Sequence, residues 1–329
     1  MKRPSKEKKR NNEHTHDTVV VAPASSTFLP TEVLGLIFRM LSPPSYPHEN
    51  VYRCMPIIAV SHVCYRWRAI TLSCSALWTH VVPLLLGYMW TVEMLARSKG
   101  APLTLDFRNK SPRRAAINND NLKLPSRYLR LLDQTRTLIV PGSFRCGLEH
   151  TPVSSAPHLE SISFNNPAGV DDPYLHLLAT PYHHLVRFET PALRKLVLCG
   201  HITLNGTNAT IIKDLTHLDI RTTDMERISR TVDVLQALLS LKSLALNIRE
   251  TSIAVSFTII SLTSLTSIRL VGTASDCSKL LQQIRAPSIK AFSLVCKSRT
   301  KTELPDLLAA VSALCVQNKE ISALQQRPH

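Results

Sequence analysis

The sequence predicts an α/β chain: a small N-terminal helical unit, then parallel strands with outer helices. Two observations carry this. Residues 28–78 begin with helix-start chemistry and hold more apolar surface than a short helix can bury. From Leu138 onward, the pattern apolar-x-x-apolar-x-apolar recurs at a nearly constant interval.

The N-terminal unit opens with FLPTEVLGLIFRML. Pro30 suits a first helical turn, where its missing N–H is no loss, and Glu32 sits where the helix dipole favours an acid. Val33, Ile37 and Met40 form one apolar stripe, and Leu34, Phe38 and Leu41 form another. One stripe can face the rest of a small domain. Two adjacent stripes are too wide for that, and the surplus implies a second domain, a membrane or a partner protein. A segment with Pro43, Pro44, Pro47 and Pro56 then separates this helix from IIAVSHVCYRWRAITLSCSALW.

These residues resemble an F-box, specifically the F-box-like domain common in fungal proteins. The resemblance is carried by Leu29-Pro30, Glu32-Val33-Leu34 and Ile37-Phe38. It continues through Val60-Ser61, Val63-Cys64, Arg66-Trp67-Arg68, Ile70 and Leu77-Trp78. The insert at 42–55 departs from the family pattern. Arg97-Ser98 followed by Pro102-Leu103 resembles a motif of the same family. The resemblance implies a three-helix domain that binds the Skp-type adaptor of an SCF (cullin–RING) ubiquitin ligase. Leu29, Pro30, Val33, Leu34, Ile37 and Phe38 are the expected adaptor-binding residues.

The repeat organises the rest. It reads Leu159-x-x-Ile162-x-Phe164, Leu193-x-x-Leu196-x-Leu198, Leu215-x-x-Leu218-x-Ile220, Leu241-x-x-Leu244-x-Leu246, Leu265-x-x-Ile268-x-Leu270 and Ile289-x-x-Phe292-x-Leu294. A weaker copy lies at Leu138-x-Val140. Markers at 138, 162, 196, 218, 244, 268 and 292 are 24, 34, 22, 26, 24 and 24 apart. That is the period of leucine-rich repeats, about 20–29 residues, with a loop inserted around 171–184. Each apolar alternation makes a short strand with one buried face. Helical candidates fall at 228–239, 275–284 and 304–316, with Val232, Leu235 and Leu239 on one face of the first. The regular repeat's asparagine is missing, so the array is a degenerate solenoid of parallel strands and outer helices. Pro157, Pro191 and Pro287 precede strands, where a proline's lost donor is tolerated at the first position.

Alternation places Leu196, Leu218, Leu244, Ile268 and Phe292 in one inward row. Leu198, Ile220, Leu246, Leu270 and Leu294 form a second. Val197, Asp219, Ala245, Arg269 and Ser293 between them face outward and are the candidate target-binding residues. The organisation is a basic tail at 1–27, the F-box-like unit at 28–80, a linker with first array elements at 81–133, the repeats at 134–320 and a short tail at 321–329. Leu103, Leu105 and Phe107 alternate as a first strand, and 108–121 is polar and reads as a loop.

Composition narrows the function. The chain has 329 residues and a net charge of +15. Lys2, Arg3, Lys6, Lys8, Lys9 and Arg10 crowd the first ten positions against one acid, Glu7. Such a run is an import signal, an anion-binding arm or a solvated tail. Glycine is scarce at 9 residues, and no phosphate-loop or dinucleotide fingerprint is present. The eight cysteines stand singly, without zinc-ligand spacing, and read as small buried residues of a reducing compartment. The sequence carries no signal peptide and no run long enough to span a bilayer, so a cytoplasmic or nuclear location is expected. Sequons at Asn205 and Asn208 read as chance.

Catalytic constellations are lacking. Asp171-Asp172 and His183-His184 read as a solvated loop, and Cys199 with His201 as packing. Arg113-Arg114 and Arg194-Lys195 are isolated basic pairs without interleaved aromatics, so nucleic-acid affinity is expected to be weak and confined to the tail. The sequence reads as a non-enzyme with no metal or cofactor: a substrate receptor holding a Skp-type adaptor, its cullin and an unknown target, without membrane contact. The competing reading is a nuclear or chromatin-associated scaffold whose F-box-like segment only caps the array.

Overall fold

The computed structural model describes residues 29–41, 56–107, 130–141, 155–165, 190–199, 212–222, 234–248, 259–296 and 303–325. The basic tail, the insert at 42–55, the loop at 171–184 with its histidines and acids, Arg113-Arg114 and both sequons lie outside these residues.

Helices α1 (Thr31–Leu41), α2 (Pro56–Ser61) and α3 (Tyr65–Ser73) form the N-terminal unit. Leu34 and Phe38 from α1 meet Ile57 and Val60 from α2 and Ile70 from α3 in one core. The Phe38 and Trp67 rings sit 5.1 Å apart at 59°, a tilted aromatic pair. Helix α3 starts at Cys64, whose Sγ accepts from the Trp67 N–H at 3.5 Å. Cys64 is exposed, unlike the small buried residue expected of a lone cysteine. A 3-10 turn at Ser75–Trp78 follows. It buries Trp78, whose Nε1 donates to the Thr71 carbonyl at 2.8 Å.

Helix α4 (Pro83–Ser98) occupies part of the stretch expected to be a linker. Pro83 stands at its first position, where proline costs nothing. Lys99, with φ of 51°, closes it in the left-handed region, and Gly100 continues at φ of 76°. The Arg97-Ser98 motif has a structural use. Arg97 lies 4.3 Å over the Trp78 ring and bonds Glu93 at 2.6 Å. Buried Ser98 donates to the Leu95 carbonyl at 2.8 Å.

The rest is a mixed α/β unit built on one parallel sheet. Nine strands lie in it in chain order: β1 (His80–Val81), β2 (Leu103–Asp106), β3 (Thr135–Pro141), β4 (Ser161–Asn165), β5 (Lys195–Cys199), β6 (His217–Thr222), β7 (Ser243–Ile248), β9 (Ser267–Gly272) and β11 (Ala291–Cys296). Strands β8 (Ile260–Ser261) and β10 (Ile284–Arg285) pair separately, also in parallel. The register is that of the repeat markers. Val81, Leu105, Leu138, Ile162, Leu196, Leu218, Leu244, Ile268 and Phe292 are successive cross-strand partners. Because β1 begins that row, the core of the helical unit runs into the core of the sheet without a break.

The first leucine of each repeat ends a tight turn. Leu159, Leu193, Leu215, Leu241 and Leu265 each donate a backbone N–H to the residue three before, namely Ala156, Thr190, Ile212, Leu238 and Leu262. This corrects the reading of the prolines. Pro157 and Pro191 are the second residues of such turns, where a fixed φ is favourable; they do not open the strands.

Two further expectations are corrected. Phe292 is 36% exposed and Leu294 is only half-buried, although both occupy inward register positions. Strand β11 is the last strand of the sheet among the described residues, and no further described strand covers them. Leu239 is exposed, and Val234, Leu235 and Leu238 are buried instead; Val232 lies outside the described residues. Helices α5 (Ala274–Gln283) and α6 (Leu304–Gln325) lie against each other near the end of the array. Helix α6 runs past the point where a tail was expected. No helix among the described residues is long and apolar enough to cross a membrane.

Candidate docking surfaces

The first surface is the outer side of α1. Its chain enters on Leu29-Pro30; the Leu29 carbonyl accepts from Arg66 Nη2, and the Pro30 carbonyl accepts the Leu34 N–H at 3.1 Å. Leu34 and Phe38 are 2% and 1% exposed. They cannot reach a partner, which corrects their assignment as adaptor-binding residues. Their burial fixes the rotation of the helix. At about 100° per residue, inward Leu34 and Phe38 leave Val33, Leu36, Ile37 and Met40 on an outward arc about 100° wide. All four are exposed, Met40 at 83%, and Leu29 and Leu41 flank them. Sequence reasoning saw two stripes but not which one faced out. Leu36 was missed, and the aromatic pairing of Phe38 with Trp67 is the signal that sets the phase.

The F-box-like family model matches residues 27–83. The F-box-like domain thus contains α1 to α3, the Trp78 turn and β1, and it carries the exposed apolar arc. Comparison of the whole chain with curated proteins returns no match.

The second surface is the outer face of the sheet. Val197, Asp219, Ala245, Arg269 and Ser293 are successive register partners across β5, β6, β7, β9 and β11. All are half-buried or exposed, and their inward neighbours Leu196, Leu218, Leu244 and Ile268 are buried. Asp219 is engaged by Arg221 at 2.7 Å, and its hydrogen bond is the main reason that the guanidinium pKa is raised. At the strand starts, Arg136 and Glu160 pair at 2.8 Å.

His217 opens β6 on the outer side, and its Nδ1 is 2.8 Å from Thr216 Oγ1. That hydroxyl donates to the Arg194 carbonyl at 3.0 Å. Partial burial, then Lys195 and Lys242, hold the His217 pKa below its ordinary value.

Inside the sheet's far end, burial pushes the Cys277 thiol up to about 12, with Cys296 as a further cause. Such a thiol is inert at neutral pH. Among the described residues, no three His, Cys, Asp or Glu side chains are grouped to hold a metal ion.

Proposed function

We propose that the chain is a non-catalytic substrate receptor of an SCF-type ubiquitin ligase. The F-box-like domain docks a Skp-type adaptor, and through it a cullin. The sheet is read as a degenerate leucine-rich-repeat solenoid whose outer face receives a target protein. Ubiquitin transfer belongs to partner subunits, and this chain contributes proximity. A cytoplasmic or nuclear location follows from that role.

The observation that carries the reading is the apolar arc on α1 within the matched domain. Its residues are Val33, Leu36, Ile37 and Met40, with Leu29 and Pro30 just ahead of the helix. An amphipathic helix with its outer face open suits helix-in-groove binding. The test is co-purification of adaptor and cullin with the tagged protein. Val33→Asp with Ile37→Asp is expected to abolish it while the fold persists, because both side chains are outside the core. Undiminished recovery of the adaptor overturns the proposal.

One observation favours a scaffold as the second reading: β1 joins the domain directly to the first row of the sheet, as a solenoid cap does. A scaffold predicts no adaptor or cullin in the purified material.

A further inference from the structure

The outer face of the sheet has an uneven charge balance. Among the described residues from β4 to β11, the carboxylates at the strand starts and outward positions, Glu160 and Asp219, are each paired with an arginine. Lys195 and Arg269 stand on β5 and β9, Lys242 and Lys290 immediately precede β7 and β11, and all four are exposed and make no ion pair among the described residues. Lys195 and His217 are direct register partners, and Lys242 precedes Ser243, the next partner of His217. Partial burial first, and then the charges of Lys195 and Lys242, hold the His217 pKa below its ordinary value. Among the outward residues between these cations, Val197, Ser243, Ala245 and Ser267 are small or short.

We propose that this face, from β5 to β11, docks an extended Asp/Glu-rich segment of a partner protein. Four strand steps of ~4.8 Å carry the cations over about 19 Å, which about six extended residues cross. Lysines spread one or two strands apart suit a row of carboxylates; a single phosphate dianion is better served by clustered donors, bidentate arginines above all. Arg136 and Arg221 are already committed to Glu160 and Asp219, and Arg194 Nη1 is turned onto the Pro191 and Leu193 carbonyls. Single-stranded nucleic acid calls for aromatic platforms. The described outward positions of β4 to β9 hold no Phe, Tyr or Trp.

The partner's role as a ubiquitylation target rests on the receptor reading above; the charge complementarity of the face does not. The test therefore contains no adaptor. The full-length protein is titrated into a fluorescein-labelled peptide of about eight residues alternating Glu and Ser, with a Gln/Ser peptide as control, and anisotropy is followed at low and raised salt. The Glu/Ser peptide is expected to bind, more weakly as salt rises. Lys195→Glu with Lys242→Glu is expected to weaken binding on the order of tenfold or more. Arg285→Glu, on the separate β8–β10 pair, is expected to change it less than about twofold. Lys195→Gln with Lys242→Gln keeps the test decisive if the reversal fails to fold, and is expected to weaken binding as well. The proposal is overturned by no binding of the Glu/Ser peptide, by equal binding of the Gln/Ser peptide, or by full affinity in either folded double variant. Preference for a phosphoserine peptide or an oligonucleotide of equal charge also overturns it. Loss of adaptor co-purification leaves this result standing, and the reverse holds too.

Discussion

Ile37 and Phe38 are chain neighbours with opposite fates. Phe38 fills the core against Trp67, and Ile37 points away from it. Phe38→Ala is expected to cost about 3–5 kcal/mol of stability, read as a fall in denaturant midpoint. Ile37→Ala is expected to leave that midpoint nearly unchanged. Equal losses would mean that the helix is rotated from the phase described. His217 gives a second prediction at this scale. Its folded-state pKa lies below the ordinary 6.5, so the unfolded chain takes up its proton first as pH falls. Its contribution to stability is present above 6.5 and is lost as pH drops through the lowered folded value. His217→Gln is expected to reduce the acid-induced fall in stability between about pH 7 and 5, measured by chemical denaturation. An unchanged pH profile would count against the partly buried, lysine-flanked setting of the ring. Added acidic peptide should oppose the shift, since carboxylates favour the imidazolium.

At the scale of elements, the strands were legible and some helices were not. The interval between Leu196, Leu218, Leu244 and Ile268 contains the register directly, because each strand is short and one face is buried. Helix α4 was hidden: Pro83 and Gly87 interrupt an apolar run, and a first-turn proline looks the same in sequence as a helix breaker. The adaptor arc was half legible. Apolar periodicity found both stripes, but the choice between them depends on α3, more than 20 residues away across an insert. Phe292 was misread because periodicity says which way a side chain points, and its cover depends on a next strand. Helix α5 offers the test at this scale. Thr273 Oγ1 accepts from the Asp276 N–H at 3.2 Å and donates to its carboxylate at 2.7 Å. Thr273→Ala is expected to cost about 1 kcal/mol by loss of this cap. Thr273→Ser is expected to restore most of it, as a denaturant midpoint will show.

For the whole molecule, the decisive contrast runs through the sheet from one face to the other. Leu244 and Arg269 lie one register step apart in position and on opposite sides of the layer. Leu244→Asp is expected to prevent folding or cost more than about 4 kcal/mol, since it buries a carboxylate without a partner. Arg269→Ala is expected to stay within about 0.5 kcal/mol of the parent and to act on partner binding. Soluble, fully folded Leu244→Asp protein would show that the marker rows are not the core.

The placement of the tryptophans has a spectroscopic consequence. The chain's three indoles are Trp67, Trp78 and Trp90, all within the first third of the sequence. None lies in β2 to β11. Intrinsic fluorescence therefore watches one end of the molecule, whereas far-ultraviolet circular dichroism averages over the strands. Each measurement is blind to most of what the other sees. Since Val81 is a register partner of Leu105 and the core passes through both, the two signals are expected to change at the same denaturant concentration, as a single cooperative unit requires. An earlier fluorescence transition would reveal an end that loosens by itself, with no label or truncation needed to see it.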